Sequence, residues 1–469
     1  MFLNLFKNNG VFNIDYRRQL LASMSATIMS LLHGIGLGWL SPMLPKLQSP
    51  EETPFDFVVG IHESSWIGAT ICIGGVLGNL LFLSILDRFG RKIAMYGLAF
   101  PHMCLWLFIY FAHSIELLYA ARVFGGLTGG GIYIVIPIFI SEISDPSIRG
   151  RLTSLFALTL NLGVLIGYIL SSYVPYHIIP WIVLPVPVMY LIIATYFPET
   201  PQYLLRTGRE EEARKSFMFY KNNIDQRGAA ERITAQNQFE ELKIAITHQE
   251  SKSEKLTLDD IFNRKALKII CTGIVLMILN IFCGSFALIN YMSSIFTATK
   301  TEMHPDVNTI IIGCVQVFGT YTATILVDRF GRKILMIVST SGMGMGMAAF
   351  GMYAFFAEET DVDLTPYSSW LPLLLMALII FLANVGIISV TFVVLVEILP
   401  PKIRSIGSSF CLALLSLFAL ALLRFFPVAM HSFGLSAAMW FCATVCAFGL
   451  FYISVFLEET KGKSMNNEK

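Results

Sequence analysis

The chain has 469 residues, of which 55% are hydrophobic and 14% charged, and its mean hydropathy is +0.66. This composition excludes a soluble globular protein, whose apolar side chains are limited by the volume its cores can hold. The formal net charge of +1 selects no class of partner, and no nucleic-acid partner is expected.

About 20 apolar residues cross about 30 Å of hydrocarbon, and twelve such runs follow one another along the chain. The first six lie near 20–47, 64–86, 93–112, 117–141, 152–174 and 178–197. Span 1 contains SLLHGIGLGWLSPML, a stretch with one titratable group, His33. A lone His on an apolar helix is either a hydrogen-bonded packing residue or a relay. The loop after span 2 is DRFGRK, residues 87–92. Arg122 stands two turns into span 4, and span 5 carries one amide, Asn161. Span 4 runs into PIFISEISDPSIRG at 137–150, and span 6 ends in PETPQYLL at 198–205. Pro198 and Pro201 there can act simply as a helix stop.

The stretch 198–266 is polar and of mixed charge. Within it, REEEARKSFMFYK and NQFEELKIAI show helical apolar spacing with charges opposite, which predicts short surface helices. This stretch divides the chain into 1–197, a linker at 198–266, and 267–469.

The second set of runs lies near 267–297, 309–327, 334–357, 368–396, 406–429 and 434–457. Span 7 carries Asn280, Asn290 and Tyr291, span 8 Gln316, and span 10 Asn384; DRFGRK recurs at 328–333, and EETKGKS follows span 12 at 458–464. Arg424 lies in the outer part of span 11. On insertion scales, Arg122 or Arg424 would cost about 2.5–3.5 kcal/mol at mid-helix unless it snorkels or faces a wet cavity. No Asp or Glu falls inside any span.

Charge placement sets the topology. The segments after odd-numbered spans contain one Lys or Arg, Lys300; the other segments carry Arg17, Arg18, both DRFGRK loops, Arg149, Arg151, Lys402 and Arg404. Positive residues stay on the cytoplasmic side, so both termini and 198–266 are expected in the cytosol. The first span has no small-residue cleavage site and reads as a retained helix, not a signal peptide. The eight cysteines fall within or at the edge of spans and read as apolar packing residues. No metal cluster, cofactor motif, phosphate loop or nucleophile–base set is visible, so neither a cofactor nor enzymatic activity is expected.

The chain also repeats itself. Asp87, Arg88 and Arg91 recur as Asp328, Arg329 and Arg332; Glu142 with Arg149 recurs as Glu397 with Arg404; Glu199-Thr200 recurs as Glu459-Thr460. The copies lie 241, 255 and 260 residues apart, a drift that loop insertions explain. Two parallel six-span repeats place a cargo site at their interface near mid-membrane. Asp87 with Arg91, and Asp328 with Arg332, can pair across the turn that Gly90 or Gly331 permits. Glu142 with Arg149 and Glu397 with Arg404 set opposite charges where two spans leave the membrane. Such sets can pair in one conformation and part in another, biasing a two-state equilibrium; alternatively, the basic residues only fix topology.

Taken together, these motifs resemble the sugar porter family of the major facilitator superfamily over essentially the whole chain. PIFISEISDPSIRG is similar to that family's PxYxSExxPxxxRG, PETPQYLL to its PESPRWL, and EETKGKS to its PETKGR. GREEEARKSFMFY and FCGSFALINY are most similar to insect facilitated-trehalose-transporter-like members. The resemblance implies an all-α membrane protein of twelve helices in two pseudo-symmetric halves. It implies carriage of a small sugar or polyol at Asn161, Asn280, Gly284, Asn290, Tyr291, Gln316, Asn384 and Phe392. The departures are substantial. The span 7 pattern QQxSGxNxxxYY keeps Gly284 and Tyr291 while Ile281 and Phe286 replace polar residues, and GPxPW in span 10 has become a stretch ending in Thr391 and Phe392. Hexose specificity is therefore open.

Proton-coupled members carry a span 1 acid near the span 4 Arg. Span 1 here has none, which predicts facilitated diffusion by a monomer in the plasma membrane, its only partners the solute and membrane lipid. Carriage of another small organic solute, proton symport through His33, and a non-transporting sensor are the alternatives; a tail of twelve residues after span 12 weighs against the sensor.

Overall fold

Segments this apolar must satisfy their main-chain groups internally once inside hydrocarbon, which leaves helices as the economical solution. A computed structural model describes residues 16–222, 229–251, 263–299, 301–360, 367, 370–400 and 403–460, and among them every regular element is helical.

Span 1 is Arg17–Gly38 continued by Leu40–Gln48; spans 2 to 5 are Ile61–Phe89, Arg91–Tyr110, Ile115–Ile143 and Arg149–Tyr173. Span 6 is the short pair Ile179–Val183 and Pro185–Thr195. Span 7 is Arg264–Phe282 and Ser285–Ala298, broken at Gly284, whose φ of +88° suits glycine. Spans 8 and 9 are Pro305–Phe330 and Arg332–Glu359; span 10 is Leu371–Val385 and Ile387–Ile398. Spans 11 and 12 form one helical run, Arg404–Phe456, which reverses at Gly434 (φ +84°). Between the halves lie Pro201–Arg206, Glu210–Tyr220 and Ala229–Ser251. Pro201 opens a helix there instead of merely stopping one, because its fixed φ and missing N–H suit the first helical position.

Within the first half, span 1 packs on span 5 and span 2 on span 4. The approach of spans 2 and 4 is close because both present glycine: a Cβ on Gly126 would lie 2.0 Å from the Ile71 oxygen. Such small-residue seams are how helices associate in lipid. The second half repeats the scheme with spans 8 on 10 and 7 on 11. Across the interface, span 2 meets span 11, span 5 meets span 8, and span 1 meets span 7. The two DRFGRK loops mark one face of the molecule, the basic face; the turns after odd-numbered spans mark the far face. Five of the eight cysteines are buried in the packing and all eight are free thiols.

Candidate functional site: the inter-half network and its far-face closure

Three of the expected cargo residues meet at mid-span between the halves. The side-chain amide of Gln316 (span 8) donates to Asn161 Oδ1 (span 5). Asn161 Nδ2 donates to Thr320 Oγ1 at 2.8 Å and to its own helix at Ala157 O, 3.1 Å. The Thr320 hydroxyl lies 3.0 Å from Gln316 O and 3.3 Å from Asn384 Oδ1 (span 10), and Asn384 Nδ2 donates to Ile380 O at 2.8 Å. All four residues are buried. Gln316 Oε1 is buried with no hydrogen-bond partner among the described residues. An unpaired acceptor of that kind costs about 1–3 kcal/mol. Thr320 escapes a sequence reading because threonine hydroxyls are common in spans, where they usually bond their own helix.

The other expected residues stand apart from this cluster. Asn280 Nδ2 donates to Ile387 O at 2.8 Å, tying span 7 to the break in span 10. Asn290 Nδ2 bonds Phe286 O at 2.8 Å, and its Oδ1 is buried without a partner among the described residues. Gly284 forms the span 7 break. Phe392 lies toward the basic face, its ring 6.3 Å from Tyr133 of span 4.

On the far-face side the halves are bound together. Tyr291 crosses toward span 2, where a Cβ on Gly68 would come within 2.1 Å of its hydroxyl; that hydroxyl donates to Leu423 O at 2.7 Å, and its ring stacks on Phe426 at 6.2 Å. Tyr168 donates to Ile289 O at 2.7 Å, and Ser293 N donates to Ser41 Oγ at 3.0 Å. Lys46 bonds the carbonyls of Ser171 and Ser172 at 2.7 and 2.9 Å and lies 3.7 Å from Asp306 Oδ2. A sequence reading overlooks Lys46, although its signal is present: a cation at the end of span 1, on a face otherwise poor in Lys and Arg.

Both intramembrane arginines find partners within the protein. Arg122 is 1% exposed and donates to Gly36 O at 2.8 Å and Ile67 O at 3.1 Å, bracing spans 1, 2 and 4 through main-chain oxygens. Arg424 donates to Ser65 Oγ at 2.7 Å, with its guanidinium 5.1 Å from the Trp66 ring, so it bridges the halves. His33 is buried against Gly129, whose Cβ would lie 2.6 Å from the imidazole Cε1.

At the basic face the pairing differs from expectation. Arg91 reaches Glu142, through Nη2 at 2.7 Å and Nε at 3.1 Å, and not Asp87; Asp87, Arg88 and Arg149 are exposed. The reason is geometric. Gly90 (φ +94°) starts span 3 so that Arg91 points inward, against the end of span 4. Glu142 also accepts from the Thr200 hydroxyl at 2.5 Å, and Arg91 lies 5.2 Å from the Tyr203 ring. Glu199 receives Lys92 N at 3.0 Å, capping span 3. The second half repeats this: Arg332 Nη2 donates to Glu397 at 3.0 Å, and Glu459 receives the N–H groups of Arg332 and Lys333, each at 3.0 Å. Carboxylates at these helix starts gain from the unpaired N–H groups and the dipole. Arg329 is exposed; the side chains of Asp328 and Arg404 lie outside the described residues.

Two halves of apolar helices, closed on one face around a buried polar network, define a membrane transporter of the major facilitator architecture. The sequence profile of the family described as "Sugar (and other) transporter" matches residues 23–468. The facilitated trehalose transporter Tret1 of Polypedilum vanderplanki is 28% identical over 447 residues, covering 95% of this chain and 86% of that one. Its Bombyx mori counterpart is 26% identical, covering 95% and 85%. Among solved structures, the partially occluded inward-open xylose transporter XylE of E. coli superposes with a TM-score of 0.75 at 18% identity, covering 94% of this chain and all of that one. XylE bound to 6-bromo-6-deoxy-D-glucose gives a TM-score of 0.74 at 21% identity, covering 96% and 98%. The chain belongs to the sugar (and other) transporter family.

Proposed function

We propose that the chain is a plasma-membrane uniporter that carries a small sugar or polyol by alternating access, working as a monomer with both termini in the cytosol. Residues 1–197 and 267–469 are the two moving bodies, and 198–266 links them on the cytosolic side. The observation that carries the reading is the Gln316 amide. It is buried at mid-span, held by Asn161 of the opposite half, and its carbonyl oxygen lacks a protein donor. A hydroxyl donating to that oxygen recovers the cost of its burial, and Asn290 Oδ1 offers a second such acceptor. Asn280, Gly284, Tyr291, Asn384 and Phe392 complete the proposed binding region, with Thr320 positioning the amides.

The inter-half hydrogen bonds named above lie from mid-span to the far face, with only the Tyr133–Phe392 ring contact named toward the basic side. This supports a state closed at the far face and open toward the basic, cytosolic face. Reversal requires the Tyr168–Ile289, Ser41–Ser293, Lys46–Asp306 and Arg424–Ser65 contacts to part and the cytosolic ends of the halves to approach. In this scheme the Arg91–Glu142 and Arg332–Glu397 clusters bias the equilibrium without touching cargo; Asp87, Arg88, Arg149, Asp328, Arg329 and Arg404 surround them. Arg122 donates to two carbonyls, its Nη2 is buried without a partner, and no titratable acid pairs with it among the described residues, which supports transport uncoupled from protons. The trehalose carriers named above make a disaccharide the first cargo to test.

The test is uptake of radiolabelled trehalose, D-glucose and myo-inositol into proteoliposomes, with and without a pH gradient. Equilibrative uptake of at least one solute is expected, insensitive to a protonophore and reduced about tenfold by Gln316→Ala. Accumulation above equilibrium that collapses with the proton gradient would instead establish symport, with His33 the first group to examine.

A further inference from the structure

Tyr291 stands between the mid-span network and a second, mostly apolar recess that carries several polar groups. This recess, on its far-face side, has a volume of ≈ 480 Å³ and is lined by Gln48 of span 1, Ser64 of span 2, Ser294 and Thr297 of span 7, Glu358 of span 9 and His431 beyond span 11, with the Tyr291 ring as one wall. Small-molecule sites fall between about 300 and 1,000 Å³. The lining comes from both halves, so the recess has this shape only while the halves are closed on this face.

Two features mark it as a binding chamber and not a packing gap. Ser294 Oγ is buried with no hydrogen-bond partner among the described residues. The remaining polar groups include a carboxylate and an imidazole, both of which hydrogen-bond hydroxyls well, whereas the mid-span network has only amides and a hydroxyl. Apolar Met430 and Pro427 line the recess between them and suit the C–H faces of a sugar ring.

We infer that this chamber is a vestibule site that holds one neutral polyhydroxylated solute while Tyr291 bars the way. The inference rests on the transport reading above and extends it. Tyr291 forms the inner wall: its hydroxyl is held by Leu423 O at 2.7 Å, and the next residue inward along the chain, Asn290, has a buried oxygen without a partner among the described residues. When the Tyr291–Leu423 bond opens, a solute waiting in the vestibule passes from the hydroxyls of Ser294 and Thr297 to the amides of Asn290 and Gln316. Loading thus precedes opening, and the solute is partly dehydrated before it meets the central network.

The test uses purified full-length Thr297→Cys protein, since residue 297 is exposed in the recess. Labelling of Cys at 297 by a water-soluble maleimide is followed by mass spectrometry in rising trehalose, D-glucose or myo-inositol, and vesicle uptake of the same solutes is measured in parallel. At least one solute should slow labelling about tenfold, equally in a Gln316→Ala background. Gln48→Ala should raise its half-protecting concentration about threefold to tenfold, the scale of one lost hydrogen bond. Protection that vanishes with Gln316→Ala traces to the central network and overturns the vestibule. If that variant does not fold, a half-protecting concentration unchanged by Gln48→Ala overturns it equally. Uptake without protection removes the vestibule and leaves the transporter; protection without uptake keeps the site and removes the transport reading.

Discussion

At the scale of single residues, Thr320 has the most consequence for its size. Its one hydroxyl accepts from Asn161 and reaches Asn384, so spans 5, 8 and 10 share it. Thr320→Val keeps the shape and removes the oxygen, leaving the Asn161 amide short of a buried partner at about 1–3 kcal/mol. The variant should melt several degrees lower in detergent by tryptophan fluorescence and raise the half-saturating solute concentration, and Thr320→Ser should restore both. The amides Asn161, Gln316 and Asn384 were legible in the sequence, because polar groups are expensive inside spans and so stand out. Thr320 was not, since its residue type carries no signal until neighbouring helices are placed. Arg122 was legible as a cost; its answer, two carbonyls from other spans, depends on tertiary packing alone.

At the scale of elements, the repeat told where the ion pairs would be and misjudged who pairs with whom. Arg91 and Asp87 share one hexapeptide, while Glu142 is 51 residues away; only the turn at Gly90 decides between them. Arg91 makes two bonds to Glu142 and faces Tyr203, and Arg332 donates to Glu397 through Nη2 at 3.0 Å. Arg91→Ala and Arg332→Ala should each lower turnover, with half-saturating concentration within about twofold of wild type, as expected of groups that bias an equilibrium. Turnover unchanged in both would leave these residues a purely topological role.

The helix Glu210–Tyr220 is tied to the first half. Lys221 donates to Asp145 at 2.8 Å, Gln19 donates to Tyr220 O at 3.2 Å, and Arg18 donates to Phe219 O at 3.2 Å. Burial alone would push the Asp145 carboxyl up, but Lys221 and the N–H and hydroxyl of Ser147 outweigh it and hold it below its ordinary value. A depressed carboxylate contributes stability that is present above its unfolded pKa and is lost as pH falls through its lowered folded value. Amide exchange in 210–220 should accordingly quicken in acid relative to intrinsic rates, and Asp145→Asn should remove most of that dependence. These surface helices were legible from apolar spacing; their attachment to the start of span 1 was not, because it runs through main-chain oxygens.

At the scale of the whole molecule, the architecture was legible because hydropathy alone counts the spans and the motif pairs fold the count in two. The closed far face was not, since Ser41 and Ser293 are ordinary residues until spans 1 and 7 meet. A Ser41→Cys/Ser293→Cys pair should trap that closure: oxidation should abolish uptake, and reduction should recover it. Undiminished uptake with the cross-link complete would show that these spans need not part.

The carboxylates of Glu199 and Glu459 have a mechanical consequence. Each stands just past the last span of its half and grips the opening turn of the third, so each half is a closed linkage instead of an open chain of rods. Closed linkages resist shear and bending, so thermal motion has its larger amplitude along softer coordinates such as the angle between the two halves. Loosening either grip would let a half flex internally and waste part of each stroke as deformation.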